Sequence, residues 1–240
     1  MRRDLLAPVL AVVGGAIVLV VALVVANQLG GGSSKPSASN IQTDSIDEML
    51  RGIPQQGIEL GNANAKLTLV EFSDPQCPWC GEWARNTFPT LVQKYVHTGK
   101  LRIEYRGLAF LDRYAPVKDS HRLLRLAQAA GLQNKLWNVV ELEFDNQGTE
   151  NTSYATDAYL RGIAQAVKDL NADEALSAAN TKAVVPMINA AQKLAITRVG
   201  KKISTPTFLL GRTGSKQTET IVGAQPLSAF TRAIDAQLKK

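Results

Sequence analysis

The 240 residues contain only two cysteines, and these lie three positions apart in the sequence Cys77-Pro78-Trp79-Cys80. A disulfide that serves stability closes a long loop, because its gain comes from restricting the unfolded chain. A bridge between Cys77 and Cys80 closes almost no loop, so the pair calls for a chemical reason. Residues three apart share one face of a helix, where two sulfurs can bond or separate without refolding.

The residues around this pair predict a strand, a helix and a second strand. Lys66–Phe72 is rich in β-formers and ends at turn residues, so it reads as a strand. From Cys77 to about His97 the apolar residues recur at helical spacing, and Pro89 is expected to kink that helix. Leu101–Tyr105 alternates as a strand does. The two cysteines are therefore predicted at the start of a helix in a β-α-β unit.

A cysteine at a helix N-terminus is chemically special. The unpaired backbone N–H groups and the helix dipole stabilise a negative sulfur there, which lowers the thiol pKa and favours the attacking thiolate. We therefore predict Cys77 as the exposed nucleophile and Cys80 as the resolving thiol that attacks a mixed disulfide. Pro78 suits the first helical position, because its missing N–H has no helical partner there.

Other uses of a C-x-x-C pair fit less well. A structural zinc needs four ligands, and the two histidines, His97 and His121, are 24 residues apart. Haem attachment needs a histidine at position 81, which is Gly81. An inert bridge remains an open alternative.

Glu71 lies on the predicted first strand, between Val70 and Phe72. It is either a solvated edge residue or a buried group. Buried beneath the thiols, it would have a raised pKa and would exchange a proton with Cys80.

Thr205-Pro206 precedes another predicted strand. A proline there either only marks the start of the strand or forms a cis peptide bond, which is usually functional. In the second case the backbone of Thr205 would lie beside Cys77 and would pair with an extended substrate segment.

The region of about residues 116–199 predicts one helix after another, and the sequence then predicts a hairpin and a closing helix. The helices are expected at Ser120–Ala130, Leu132–Phe144, Tyr154–Leu170 and Ala172–Val199, the last broken near Pro186. The hairpin strands are Thr207–Leu210 and Glu219–Val222, and the closing helix is Leu227–Leu238. The fold class is thus α/β, in the order β-α-β … β-β-α, with an inserted α-helical block.

The N-terminus predicts one transmembrane helix. Val9–Ala26 is an 18-residue run without a polar side chain, and Arg2 and Arg3 precede it. Since positive charge stays inside, we expect a single-pass protein of the cell membrane with a cytoplasmic N-terminus and an extracytoplasmic domain. A cleaved signal peptide is the alternative, and it exports the domain equally.

These features divide the chain into three parts. Residues 1–29 are predicted as stub and anchor, residues 30–45 as a flexible Gly/Ser linker, and residues 46–240 as the folded domain. The formal net charge of +6 is scattered, with no run longer than a pair, so we expect no nucleic-acid binding.

The motifs Val70–Cys80 (VEFSDPQCPWC), Pro89 and Ser204–Gly211 (STPTFLLG) resemble the DsbA-like branch of the thioredoxin superfamily, in particular its membrane-anchored bacterial members. The resemblance covers about residues 58–240. It implies a thioredoxin fold and a protein disulfide oxidoreductase whose two cysteines cycle between disulfide and dithiol, with no cofactor. It also implies that Glu71 assists proton transfer and that Pro206 is cis and faces the catalytic sulfur.

Two departures from the family bear on the redox direction. Trp79 stands where the best-known periplasmic oxidase has a histidine that stabilises the thiolate, and a threonine, Thr205, precedes the expected cis proline. Trp79 and Pro78 are expected to offer substrates an apolar surface.

The first hypothesis is a dithiol oxidase of unfolded or reduced exported proteins, recharged by a membrane-embedded, quinone-linked thiol oxidase. A reductase or isomerase on the same scaffold, and a non-catalytic membrane-tethered binding protein, are the alternatives.

Overall fold

A computed structural model describes residues 43–114 and 116–240. The predicted anchor and most of the predicted linker lie outside these residues. Among the described helices, none has the length and apolar character needed to cross a bilayer. The first described helix, α1, covers Asp44–Leu50 and so begins inside the segment predicted as linker.

A six-stranded sheet forms the centre of the domain. Its strands lie in the order β1-β2-β4-β3-β5-β6, and only the β3–β4 pair is parallel. The bounds are β1 Gln55–Gln56, β2 Glu59–Leu60, β3 Leu67–Ser73, β4 Leu101–Gly107, β5 Thr207–Arg212 and β6 Glu219–Val222. The predicted β-α-β … β-β-α order is confirmed, and the two-residue strand β1 is an addition to it.

The central strand β3 is buried along its whole length because structure covers both faces of the sheet. Leu67 and Leu69 belong to the large core cluster that contains both cysteines, whereas Val70 and Phe72 belong to a smaller cluster on the opposite face. Since successive side chains alternate, Glu71 points to the same side as Leu67 and Leu69, toward the cysteines.

The helix after β3 is more broken than predicted. Helix α2 covers Pro78–Asn86, and helix α3 covers Phe88–Leu91 with Pro89 in its first turn. A π-helical turn, Val92–Val96, then ends in a bond from His97 N–H to the Val92 carbonyl. The helix divides at Thr87, two residues before Pro89, so one continuous helix to His97 is wrong, because a proline cannot donate the bond that would join the two halves.

The first inserted helix is one residue longer at each end than predicted, whereas the later ones are shorter, and turn residues explain where they end. They are α4 Asp119–Gly131, α5 Leu136–Asp145, α6 Asp157–Ala166, α7 Ala172–Ala179 and α8 Val185–Arg198. Asn134 adopts a positive φ of 57° before α5, and the Thr156 side chain caps α6. The break expected near Pro186 lies at residues 180–184, so that this proline sits in the first turn of α8. Helix α9, Leu227–Leu238, matches the prediction.

Trp137 on α5 joins the insertion to the sheet. Its ring stacks on Phe88 with centroids 5.3 Å apart and meets Tyr105 edge-on at 5.9 Å. Its Nε1–H donates to the Ile58 carbonyl at 3.1 Å. Trp137 is fully buried, so it packs the insertion against the sheet.

Replacing Trp137 by alanine is therefore expected to lower the free energy of unfolding by about 3–5 kcal/mol, because it leaves a large cavity between helix and sheet. Trp137→Phe keeps a ring against Phe88 and loses the bond to Ile58, so its loss should be clearly smaller. Denaturant unfolding of both variants measures the difference, and equal losses would contradict this packing role.

Candidate active site

Cys77 ends the turn that follows β3 and is the N-cap residue of α2. Its backbone is extended, with φ −70° and ψ 120°, and Pro78 begins the helix. The Cys77 carbonyl accepts the N–H groups of Cys80 at 3.0 Å and Gly81 at 3.2 Å. The chain therefore presents the sulfur to the unpaired amides of the first helical turn, as predicted.

The two sulfurs face each other as free thiols. The pKa of Cys77 is lowered to about 6, chiefly because the Cys80 thiol donates a hydrogen bond to its sulfur. Burial opposes this shift, and Thr205 and the backbone N–H groups of Cys80 and Trp79 add to it. Burial and the neighbouring Cys77 sulfur raise the pKa of Cys80 well above its usual value. One sulfur is thus a thiolate at neutral pH and the other a thiol.

The expected exposure of the nucleophile is corrected by the structure. Cys77 is only 6% exposed, against 0% for Cys80. The cause is the loop before β5, whose Thr205 carbonyl lies 3.4 Å from the Cys77 Sγ and accepts its hydrogen when the sulfur is protonated. That loop and the exposed residues Pro78 and Trp79, the latter at 67% exposure, border Cys77.

The Thr205–Pro206 peptide bond is cis, as the resemblance implies. Pro206 is buried and Thr205 partly exposed. The Pro206 carbonyl accepts the N–H of Gly223 at 2.8 Å, which ties the loop to the end of β6. The structure thus brings Thr205 beside Cys77.

Glu71 is buried, with 1% exposure. In the parallel and antiparallel registers it lies opposite Tyr105 and Phe208. Burial raises the pKa of its carboxyl group to about 8, and a favourable interaction with the nearby Ser73 side chain offsets part of the rise. Its Oε1 has no hydrogen-bond partner among the described residues. Of the two interpretations of Glu71, the structure supports the buried one, and the group holds a proton at neutral pH.

Sequence reasoning missed the polar residues that hold the turn before Cys77. Gln147, just after α5, donates through Nε2 to the carbonyls of Pro75 at 2.9 Å and Cys77 at 3.0 Å. Asp74 and Gln76, whose side chains are fully buried, bind residues near α4. For Asp74 and Gln76 the sequence signal is the polar run directly before Cys77, and no such signal marks Gln147.

Together the sheet, the helix-end cysteine pair and the proline loop define a protein of the thioredoxin class. The family model described as Thioredoxin matches residues 54–236, and the chain belongs to that family.

Within the thioredoxin family, a named relative supports the DsbA-like branch. "Probable disulfide bond formation protein D" of Bacillus cereus is 28% identical over 129 residues, which is 53% of this chain and 56% of that protein. The chain thus spans little more than half the length of that relative. The predicted resemblance to the DsbA-like disulfide oxidoreductases is confirmed.

Solved structures of the same branch share the fold. BdbD from Bacillus subtilis in its oxidised form has a TM-score of 0.66 at 17% identity, covering 78% of this chain and 98% of that one. The α-DsbA1 of Wolbachia pipientis has a TM-score of 0.62 at 22% identity, covering 79% and 92%. At these identities the likeness concerns the thioredoxin fold with its helical insertion.

Proposed function

We propose that this chain is a thiol–disulfide oxidoreductase that introduces disulfides into exported proteins through Cys77 and Cys80. The observation that carries the proposal is the unequal acidity of the two facing sulfurs. A stable Cys77 thiolate stabilises the reduced pair, and a pair that is stable when reduced is a strong oxidant when it is a disulfide.

The reaction begins with the enzyme disulfide. A substrate thiolate attacks the Cys77 sulfur, the Cys77–Cys80 bond breaks, and a bond between the substrate and Cys77 forms. The electron pair leaves on Cys80, whose sulfur takes up a proton, and we assign Glu71 as its source because that carboxyl group is protonated and points to the same side of the sheet.

A second substrate thiolate then attacks the substrate sulfur of the mixed disulfide, which releases Cys77 as a thiolate. The substrate loses two electrons and its two thiol protons become available. The enzyme gains the two electrons, and one proton stays on Cys80. Thr205 and the exposed Pro78 and Trp79 border Cys77, so we assign them to binding the extended substrate segment.

The proposed reaction also requires an oxidising compartment and a partner that reoxidises the cysteine pair. Disulfides persist outside the cytoplasm, which agrees with an N-terminal membrane anchor and an extracytoplasmic domain. The reduced pair needs a thiol oxidant, and we assign a membrane-embedded, quinone-linked oxidase to that role. No bound cofactor is required, because the two sulfurs carry the electrons.

Trapping of intermediates tests the chemistry. Cys80→Ala removes the resolving thiol, so a reduced unfolded protein mixed with oxidised glutathione should accumulate on Cys77 as a mixed disulfide, visible on non-reducing gels. The double variant Cys77→Ala/Cys80→Ala should trap nothing. An absence of mixed disulfides with Cys80→Ala would support the non-catalytic binding protein instead.

The reduction potential of the Cys77–Cys80 pair tests the direction. An oxidase is expected to equilibrate with glutathione well toward its reduced form. A potential near that of the reducing cytosol would favour a reductase or isomerase.

A further inference from the structure

Asp74 has a buried carboxylate that the proposed reaction does not use. Its Oδ1 accepts the backbone N–H of Gln76 at 2.9 Å and the Ser120 hydroxyl at 2.7 Å. Its Oδ2 accepts the N–H of Leu111 at 2.8 Å. These three donors come from the Cys77 turn, from α4 and from the segment after β4, so one side chain ties the three segments together.

Gln76 extends the network into the insertion. Its Nε2 donates to Asp112 Oδ1 at 3.0 Å and to Ser120 Oγ at 2.7 Å, and its Oε1 accepts the N–H of Asn151 at 2.7 Å. The hydrogen bonds account for all of the amide's donors, so the turn has a single fixed arrangement.

The backbone of Asp74 also contacts both cysteines. Its carbonyl accepts the Cys77 N–H at 2.9 Å, and its own N–H interacts favourably with the Cys80 sulfur. Burial raises the pKa of Asp74 to about 6, against the hydrogen bonds from Leu111, Gln76 and Ser120, and the Cys77 sulfur raises it further. At pH 7 and above the carboxylate is therefore mostly charged and lies within the field of the Cys77 sulfur.

We propose that Asp74 is a positioning residue of the cysteine pair: its buried carboxylate fixes the Cys77 turn against the helical insertion and, by its charge, limits how far the Cys77 thiolate is stabilised. The inference rests on the proposed function, and it identifies a residue that sets the oxidising strength of the Cys77–Cys80 pair. Without the charge the reduced pair would be more stable, and the disulfide form would oxidise substrates more strongly.

The other titratable groups near Asp74 do not replace it. The elements packed around it contribute Tyr105 from β4, Tyr154 before α6, and Asp112 with its partners His121 and Lys118. Burial alone would raise the pKa of Asp112, but hydrogen bonds from His121 and Ser120 outweigh it and lower that pKa. Asp112 is thus a charged neighbour whose hydrogen bonds reach the cysteine turn through Gln76 and Ser120.

Asp112 is therefore the matched control. In Asp74→Asn the amide Oδ1 keeps the bonds from Gln76 and Ser120 and loses the one from Leu111. In Asp112→Asn it keeps the bonds from Gln76 Nε2 and Ser120 N–H and loses those from His121. Both variants thus weaken the same network, and only the first removes the charge beside Cys77.

The experiment measures two quantities on the purified full-length protein in each variant. The first is the thiolate absorbance of the reduced protein near 240 nm as a function of pH, and the second is its equilibrium with reduced and oxidised glutathione at pH 7. Asp74→Asn is expected to lower the pKa of Cys77 and to shift the glutathione equilibrium roughly 3- to 10-fold toward the reduced protein. Asp112→Asn should shift neither. Ser120→Ala, which weakens the carboxylate's support, should shift both in the direction of Asp74→Asn by less.

An unchanged Cys77 titration in Asp74→Asn, or an equal shift in Asp112→Asn, would overturn the inference. If Asp74→Asn does not fold, Ser120→Ala decides in the same way. The wild type separates this result from the proposed function: a wild-type Cys77 without an acidic pKa and without exchange with glutathione refutes the function itself.

Discussion

Cys77→Ser is expected to reduce the oxidation of protein thiols to background, a loss of about 10³-fold or more. The serine hydroxyl cannot form the disulfide with Cys80, and it is not ionised at neutral pH, so both the oxidant and the nucleophile disappear. The measurement is the rate at which the oxidised domain introduces disulfides into a reduced, unfolded protein.

The exposed Ser177 on α7, remote from the cysteine turn, offers a control. Ser177→Ala should oxidise substrate at the wild-type rate. If Cys77→Ser kept even a tenth of that rate, the chemistry would have to be assigned to another group, and the account of the helix-end sulfur would fail.

Glu71→Gln is expected to stabilise the domain at alkaline pH by on the order of 4 kcal/mol. The pKa of Glu71 is about 8 in the folded protein, against an ordinary value of 4.5. The folded protein thus holds a proton that the unfolded chain releases, so this group costs stability as the pH rises from 4.5 to 8. A neutral amide of the same shape removes that cost.

The prediction has a pH signature. At pH 5 the wild type and Glu71→Gln should differ little in their free energy of unfolding, and the difference should grow up to about pH 8 and then level off. Glu82→Gln, at an exposed position on α2, should not change the slope. Denaturant unfolding at several pH values measures both variants, and a parallel pH dependence of Glu71→Gln and wild type would contradict the raised pKa.

The same Glu71→Gln variant would slow reduction of the disulfide form if the carboxylic acid supplies the proton to Cys80. A stabilised protein that also exchanges thiols more slowly separates a functional acid from a residue that is only buried. The variant would thus gain stability and lose exchange rate, a trade-off that is typical of active-site groups.

The features that the sequence predicted well are local. The strand before Cys77, the helix start at Pro78 and the closing helix Leu227–Leu238 follow from patterns within a dozen residues. The direction of the Cys77 pKa shift was also predicted, but its main cause was not: the hydrogen bond from the Cys80 thiol lowers this pKa more than the backbone N–H groups at the helix start do.

The features that it missed depend on contacts between distant segments. The low exposure of Cys77 comes from Thr205, 128 residues later, and the network at Asp74 comes from Leu111 and Ser120. The π-helical turn after Leu91 and the two-residue strand β1 are likewise set by packing, and no local pattern marks them.

The predicted membrane anchor, which falls on residues outside the described part of the chain, stays a prediction. Its support remains the apolar run that ends at Ala26 and the two arginines before it.

The central claim is that Cys77 is a thiolate at neutral pH, and ultraviolet titration of the reduced protein measures its pKa directly. Absorbance near 240 nm should rise through a single transition at a pKa of about 6, and this transition should vanish in Cys77→Ser. A transition near the ordinary thiol value of about 8.5 would contradict the activation of Cys77 by the Cys80 thiol and by the first turn of α2.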